Sequence, residues 1–155
     1  MNTRLFFFVL IATLSLSACR SSKKATTQPS ASQSSKANYE MLDKNTFKLT
    51  AVSEDESYGY SSKNAIMVGA GEAMEQGPSN ERRYLNALLG PNGEKVQYER
   101  QGSCCQVKSD NGIMGYALLD IYEVKYDNSG KTFKLYLNMY DPGEIKAPKG
   151  FTFKK

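Results

Sequence analysis

Three cysteines and no histidine set the chemistry open to this 155-residue chain. Without histidine there is no imidazole base, no Ser-His or Cys-His nucleophile pair, and none of the commonest transition-metal ligand. Cys104 and Cys105 are neighbours in Gly102-Ser-Cys-Cys-Gln106. A disulfide between sequence neighbours closes a strained ring, and strained disulfides are the more easily reduced ones. The pair reads either as a redox or conformational switch, or as a structural element: a vicinal disulfide, or two buried thiols at a tight bend after Gly102. Two thiolates do not make a zinc site, which wants four ligands. No catalytic set, metal site or cofactor is expected.

Cys19 stands in a different context. Met1 to Arg4 is a short segment with one positive charge, and Leu5 to Leu16 is twelve residues without charge. Such a run matches the apolar region of a signal peptide and is too short to span a bilayer, which takes a helix of ~20 residues. Leu16-Ser17-Ala18-Cys19 follows at once. Small residues admit an extended chain to a peptidase cleft, and the Cys19 thiol can accept a diacylglyceryl group. The string looks like a bacterial lipobox; the alternative is an ordinary secretory signal that contains a cysteine. Several fatty acyl chains, such as palmitate, hold a protein firmly to a membrane where one chain holds it marginally. Arg20 rather than Asp follows the cysteine. By resemblance to lipoprotein sorting in Gram-negative cells, this favours the outer membrane of the envelope.

Other residues could bind rather than react. Arg82 and Arg83, in Asn80-Glu-Arg-Arg-Tyr84, are either an anion or partner site beside helix amides or a solvated face paired with glutamates. Asp120 lies in an apolar strand context, as a perturbed acid or as a hydrogen-bonded edge carboxylate. Ten tyrosines are a high count, and Tyr122, Tyr126, Tyr136 and Tyr140 fall in one hairpin. With Asn138, Tyr136 and Tyr140 could make an adhesive face for a peptide or glycan, or the rings could pack beneath a helix. Gly69-x-Gly71 lacks the Lys-Ser/Thr of a phosphate loop.

The elements that must position these residues begin after a tether. Residues 21–38 read SSKKATTQPSASQSSKAN, with nothing apolar larger than alanine. Such a segment cannot bury enough surface to offset the entropy of ordering, so residues 19–38 are expected to be a lipidated cysteine and a disordered leash spanning ~25 Å. The chain carries 20 Lys and Arg against 16 Asp and Glu. Arg4, Arg20, Lys23, Lys24 and Lys36 precede Tyr39, which leaves 15 cations against 16 carboxylates in residues 39–155. The basic excess sits beside lipid headgroups and not on the domain, which argues against nucleic acid as a partner.

Residues 39–155 suit one small domain. Thr46 to Val52 alternates as a half-buried strand, with Phe47, Leu49 and Ala51 on one side. Asn64 to Val68 is a short strand, and Gly69 to Gly77 a loop. Ser79 is the expected cap of the principal helix, with Glu81 complementing its dipole and Tyr84, Leu85 and Leu88 as its apolar stripe. Gly90-Pro91 stops it. Pro91-Asn-Gly93 turns into a strand over Lys95 to Arg100. Leu118 to Tyr126 and Thr132 to Tyr140 form a hairpin about Asp127-Asn-Ser-Gly130, with Phe133, Leu135, Leu137 and Met139 on one side. The expected fold is α+β, a small and mainly antiparallel sheet with one principal helix packed on it.

Together, Tyr58-Gly-Tyr60, Asn80-Glu-Arg-Arg-Tyr-Leu-Asn-Ala-Leu88, Gly90-Pro-Asn-Gly93, Gly102-Ser-Cys-Cys105, Leu119-Asp120 with Tyr122-Glu-Val124, and Leu135-Tyr-Leu-Asn-Met-Tyr-Asp141 resemble a group of small bacterial envelope lipoproteins. The resemblance covers residues 45–152. Some members bear the name 2-dehydro-3-deoxyphosphooctonate aldolase. That enzyme is a (β/α)8 barrel of ~250 residues with eight alternating strand and helix units, a pattern unlike the single helix expected here. The functional expectation is a lipid-anchored accessory module binding a protein or glycan, with a thiol role at Cys104-Cys105 as the alternative.

Overall fold

The computed structural model describes residues 37–70 and 73–155, of 73–75 the backbone only. The expected signal peptide, Cys19 and all but the last two residues of the leash lie outside the described residues. Among the described residues, one α-helix and mostly strands, in mixed sheets, make an α+β fold.

Strands β1 (Met41–Asp43) and β2 (Thr46–Phe47) form a small hairpin. The expected strand to Val52 is shorter than its alternation suggested, because later residues lack a continuous partner. Lys48 N–H donates to Glu40 O, and Val52 only bridges Ala147. The sidedness holds nonetheless: Phe47 and Leu49 are buried, Lys48 and Thr50 exposed.

The main sheet runs β3 (Ile66–Met67), β7 (Phe133–Asn138), β6 (Tyr116–Tyr126), β5 (Val96–Ile113). β3 is parallel to β7, and the other pairs are antiparallel. Leu135, Leu137, Tyr122, Val124 and Ile66 turn one side of this sheet into the core, closed by Tyr84, Leu85, Leu88, Ala147 and Phe151.

Helix α1 (Ala73–Ala87) starts six residues before Ser79, so most of the expected loop is helical. Pro78 lies inside it. So near the start, the missing N–H removes one bond, to the carbonyl of Met74. Gly77 lets the helix settle on the sheet: a β-carbon there would lie 2.8 Å from Met139 Sδ. The helix ends at Ala87, before Gly90-Pro91, because the following residues find strand partners. β4 (Leu88–Leu89) pairs antiparallel with β8 (Thr152–Phe153), and Lys154 N–H donates to the Ala87 carbonyl at 2.9 Å.

Strand β5, expected to stop near Arg100, instead runs through the cysteine pair to Ile113, 18 residues in all. It does so with three shifts of register against β6, at Arg100/Gly102, Cys104/Gln106 and Lys108/Ile113.

Candidate functional site

The first two of those shifts build the most unusual cluster among the described residues. Side chains in a strand alternate sides, so one extra residue reverses which side the following ones take. The shift at Arg100/Gly102, with Gly102 at φ +142°, turns Ser103 to the side already occupied by Arg100. Both reach Asp120 on β6. Arg100 donates twice, Nε to Oδ2 at 2.6 Å and a second guanidinium nitrogen to Oδ1 at 2.8 Å, and Ser103 Oγ donates to Oδ1 at 2.7 Å. Burial alone would raise the Asp120 pKa; the Arg100 and Ser103 donors outweigh it and hold the group below its ordinary value. Asp120 is thus a buried, paired carboxylate.

Glu81 meets it from the helix. Expected near the helix start, Glu81 instead lies in the third turn with 0% of its surface exposed. Tyr122 Oη donates to its Oε2 at 2.9 Å, while Oε1 is buried without a donor. Burial first, and the Asp120 charge second, push its pKa up to about 8. The Asp120 charge facing it favours the protonated form of Glu81. Burial, and then the Glu81 charge, also raise the Tyr122 phenol. The sequence held one signal for this residue: Glu81, Tyr84, Leu85 and Leu88 stand at i, i+3, i+4 and i+7, which puts a carboxyl on the apolar stripe.

Cys104 and Cys105 come next on β5 and form a vicinal disulfide, with Cα atoms 3.7 Å apart. Cys104 pairs with Leu119, and Cys105 is the unpaired residue of the second shift, at φ +55°. Cys104 is half-buried and Cys105 exposed, so these are not buried thiols. Among the described residues, β5 has β6 on one side and no strand on the other, which leaves the disulfide at a sheet margin.

The expected binding residues do not form one surface. Arg82 donates to Ser79 Oγ and Arg83 to Asn80 Oδ1; these are helix neighbours in place of the expected glutamates. Neither arginine lies at the helix start, which is about two and a half turns further back. Tyr136 alternates with Leu135 and Leu137 and so faces away from the helix side of the sheet. Asn138 and Tyr140 are buried. Asn138 Oδ1 accepts from the Tyr140 and Asp141 N–H groups, and its amide donates to Asp141. Tyr122 is buried too, and Tyr126 packs on Phe133 and Phe151. Tyr122, Tyr126 and Tyr140 thus pack in the fold.

Arg83 does line a groove of about 390 Å³ beside the helix, with Tyr39, Met41, Lys44, Phe47 and Asn80 among its walls. Two cations, a phenol and a thioether converge there, and the Asn80 bond occupies one of five guanidinium donors. Compared with protein families, curated proteins and solved structures, the chain finds no match. Among the described residues, no group of three or more Cys, Asp or Glu side chains is placed to hold a metal ion.

Proposed function

We propose that this chain is a lipid-anchored protein of the bacterial envelope, held at the outer membrane through Cys19, whose domain is an accessory module binding a protein or glycan. Within the α+β class, its architecture reads as a small, mainly antiparallel sheet carrying one principal helix. The groove beside that helix carries the binding reading. Its Arg83 and Lys44 suit an acidic or hydroxyl-rich ligand, and Tyr39 and Met41 supply apolar contact. The group of envelope lipoproteins that the sequence resembles fits the same location.

Capture from solubilised envelope by the full processed chain, with an Arg83→Glu/Lys44→Glu chain as control, tests the reading. One component enriched by the first chain and lost by the second supports it. Equal capture by both, or none by either, removes the groove from consideration.

A thiol role is the second reading, favoured by the exposed Cys105 at the sheet margin. Two thiols released by mild reductant from otherwise native protein support it; no release short of unfolding makes the disulfide structural.

A further inference from the structure

At one end of the main sheet, apolar side chains face water together. Strands β5 and β6 join through Met114 and Gly115, both at positive φ, and around this turn Ile113 is 62% exposed, Met114 93%, Tyr116 49% and Leu118 50%. Tyr116 and Leu118 continue the side of β6 that holds Asp120, Tyr122 and Val124, past the part the helix covers. Ile113 and Tyr116 are cross-strand partners, so the exposed groups are contiguous and do not lie scattered. Clustered apolar residues on a protruding tip mark an interaction surface.

The tip is held firmly. Asp141, just past β7, accepts from Ser109 Oγ at 2.7 Å and from the Asn111 amide at 3.0 Å through Oδ1, and from the Asn138 amide through Oδ2. The carbonyl of Asp141 receives the Gly69 N–H. The exposed groups therefore project from a hydrogen-bonded base.

Where the chain enters the fold says what covers this tip. Tyr39 Oη donates to the carbonyl of Met67 or Gly69 and accepts from Gly143 N–H. Met67 is the partner of Asn138, and Gly69 and Gly143 flank Asp141. Entry point and apolar tip thus share one end of the sheet. The β6–β7 turn at the other end carries Asp127, Asn128, Ser129 and Lys131.

We infer that the Ile113–Leu118 tip rests in the membrane to which the chain is anchored, its occupant being the lipid bilayer interface. This rests on the lipid-anchor reading: a leash from Cys19 to Tyr39 keeps the same end of the domain near the lipid. Met114 and Ile113 enter the boundary between headgroups and acyl chains, where an apolar face buries ~5–10 Å. Tyr116 suits the headgroup level, with an apolar ring and a polar hydroxyl. Lys108, paired with Tyr116, lies beside anionic headgroups.

The chain contains no tryptophan, so one introduced indole is an unambiguous reporter. Met114→Trp and Lys131→Trp are made separately in the full chain, processed in a bacterial host, purified and reconstituted in phosphatidylglycerol-containing vesicles. Mass spectrometry of the Cys19 peptide scores the anchor. Brominated acyl chains should quench Met114→Trp about twofold or more beyond Lys131→Trp, with a blue-shifted emission, as burial at the boundary requires. A lipidated Cys19 with equal quenching of both reporters, or none of either, overturns the inference and leaves the anchor standing. An unmodified Cys19 overturns both.

Discussion

Replacing Glu81 by glutamine should stabilise the protein at alkaline pH and do little near pH 5. A carboxyl whose ordinary value is 4.5 and whose folded value is about 8 binds its proton more tightly in the folded chain. Between those values the folded state holds a proton that the unfolded state has released, so stability falls as pH rises. The contribution is fully present below about 4.5 and gone above about 8. The whole span is worth roughly 5 kcal/mol, and the part lost by pH 7 about 3 kcal/mol, at ~1.4 kcal/mol per pH unit. Asp120 acts in the opposite sense. Its lowered value contributes stability above the ordinary aspartate range that is lost as pH falls through the folded pKa. The wild-type chain should therefore be most stable at mildly acidic pH. With no histidine in the sequence, no other side chain of ordinary pKa titrates between pH 5 and 8, so the slope there belongs to Glu81. Glutamine keeps the shape, can still accept from Tyr122 and carries no charge at any pH. Thermal melts from pH 5 to 9 should show a wild-type midpoint falling by roughly 15 °C between pH 5 and 8, against a nearly flat Glu81→Gln curve that starts close to it and lies above it at alkaline pH. Parallel curves would refute the reasoning, because they would mean that Glu81 carries the same charge folded and unfolded.

Arg100→Ala should cost about 1–3 kcal/mol in urea titration at pH 7, since it leaves a buried Asp120 with Ser103 as its remaining hydroxyl donor. The half-exposed guanidinium keeps the loss below that of a fully buried pair. Gly69→Ala should destabilise by roughly 1–3 kcal/mol, because its β-carbon would collide with the backbone at Tyr140 and Asp141, which cannot swing aside. An unchanged urea midpoint would mean that the two segments separate freely there.

The β6–β7 hairpin was legible because its signals are local. Phe133, Leu135 and Leu137 alternate with polar neighbours, and Asp127-Asn-Ser-Gly130 sits between the strands. Asp120 was visible as a charge in an apolar strand, and the helix stripe through Tyr84 and Leu85 was correctly sided. Pro78 hid the first turn of the helix, since proline usually breaks one and here costs a single bond near the start. β5 was hidden by its own irregularity. Gly102, Cys105 and Asn111-Gly112 each interrupt the alternation, so no period of two survives across the strand.

The sequence by itself determined the properties that belong to short stretches of chain: an uncharged run ahead of Cys19, a stretch rich in Ser, Thr, Gln and Lys after it, few net charges over residues 39–155, and the turns of the last third. Those follow from composition and from repeats of two or about four residues, which need no distant partner. Only the tertiary structure decided which side chains meet. Arg100, Ser103, Asp120, Tyr122 and Glu81 come from two strands and a helix, and both β5 residues reach Asp120 because the register shift at Arg100/Gly102 puts Ser103 on the side of Arg100. A register shift is settled by pairing with another strand. The carboxyl on the helix stripe takes up a proton because it is buried and, second, because Asp120 lies opposite it, and no local pattern records either.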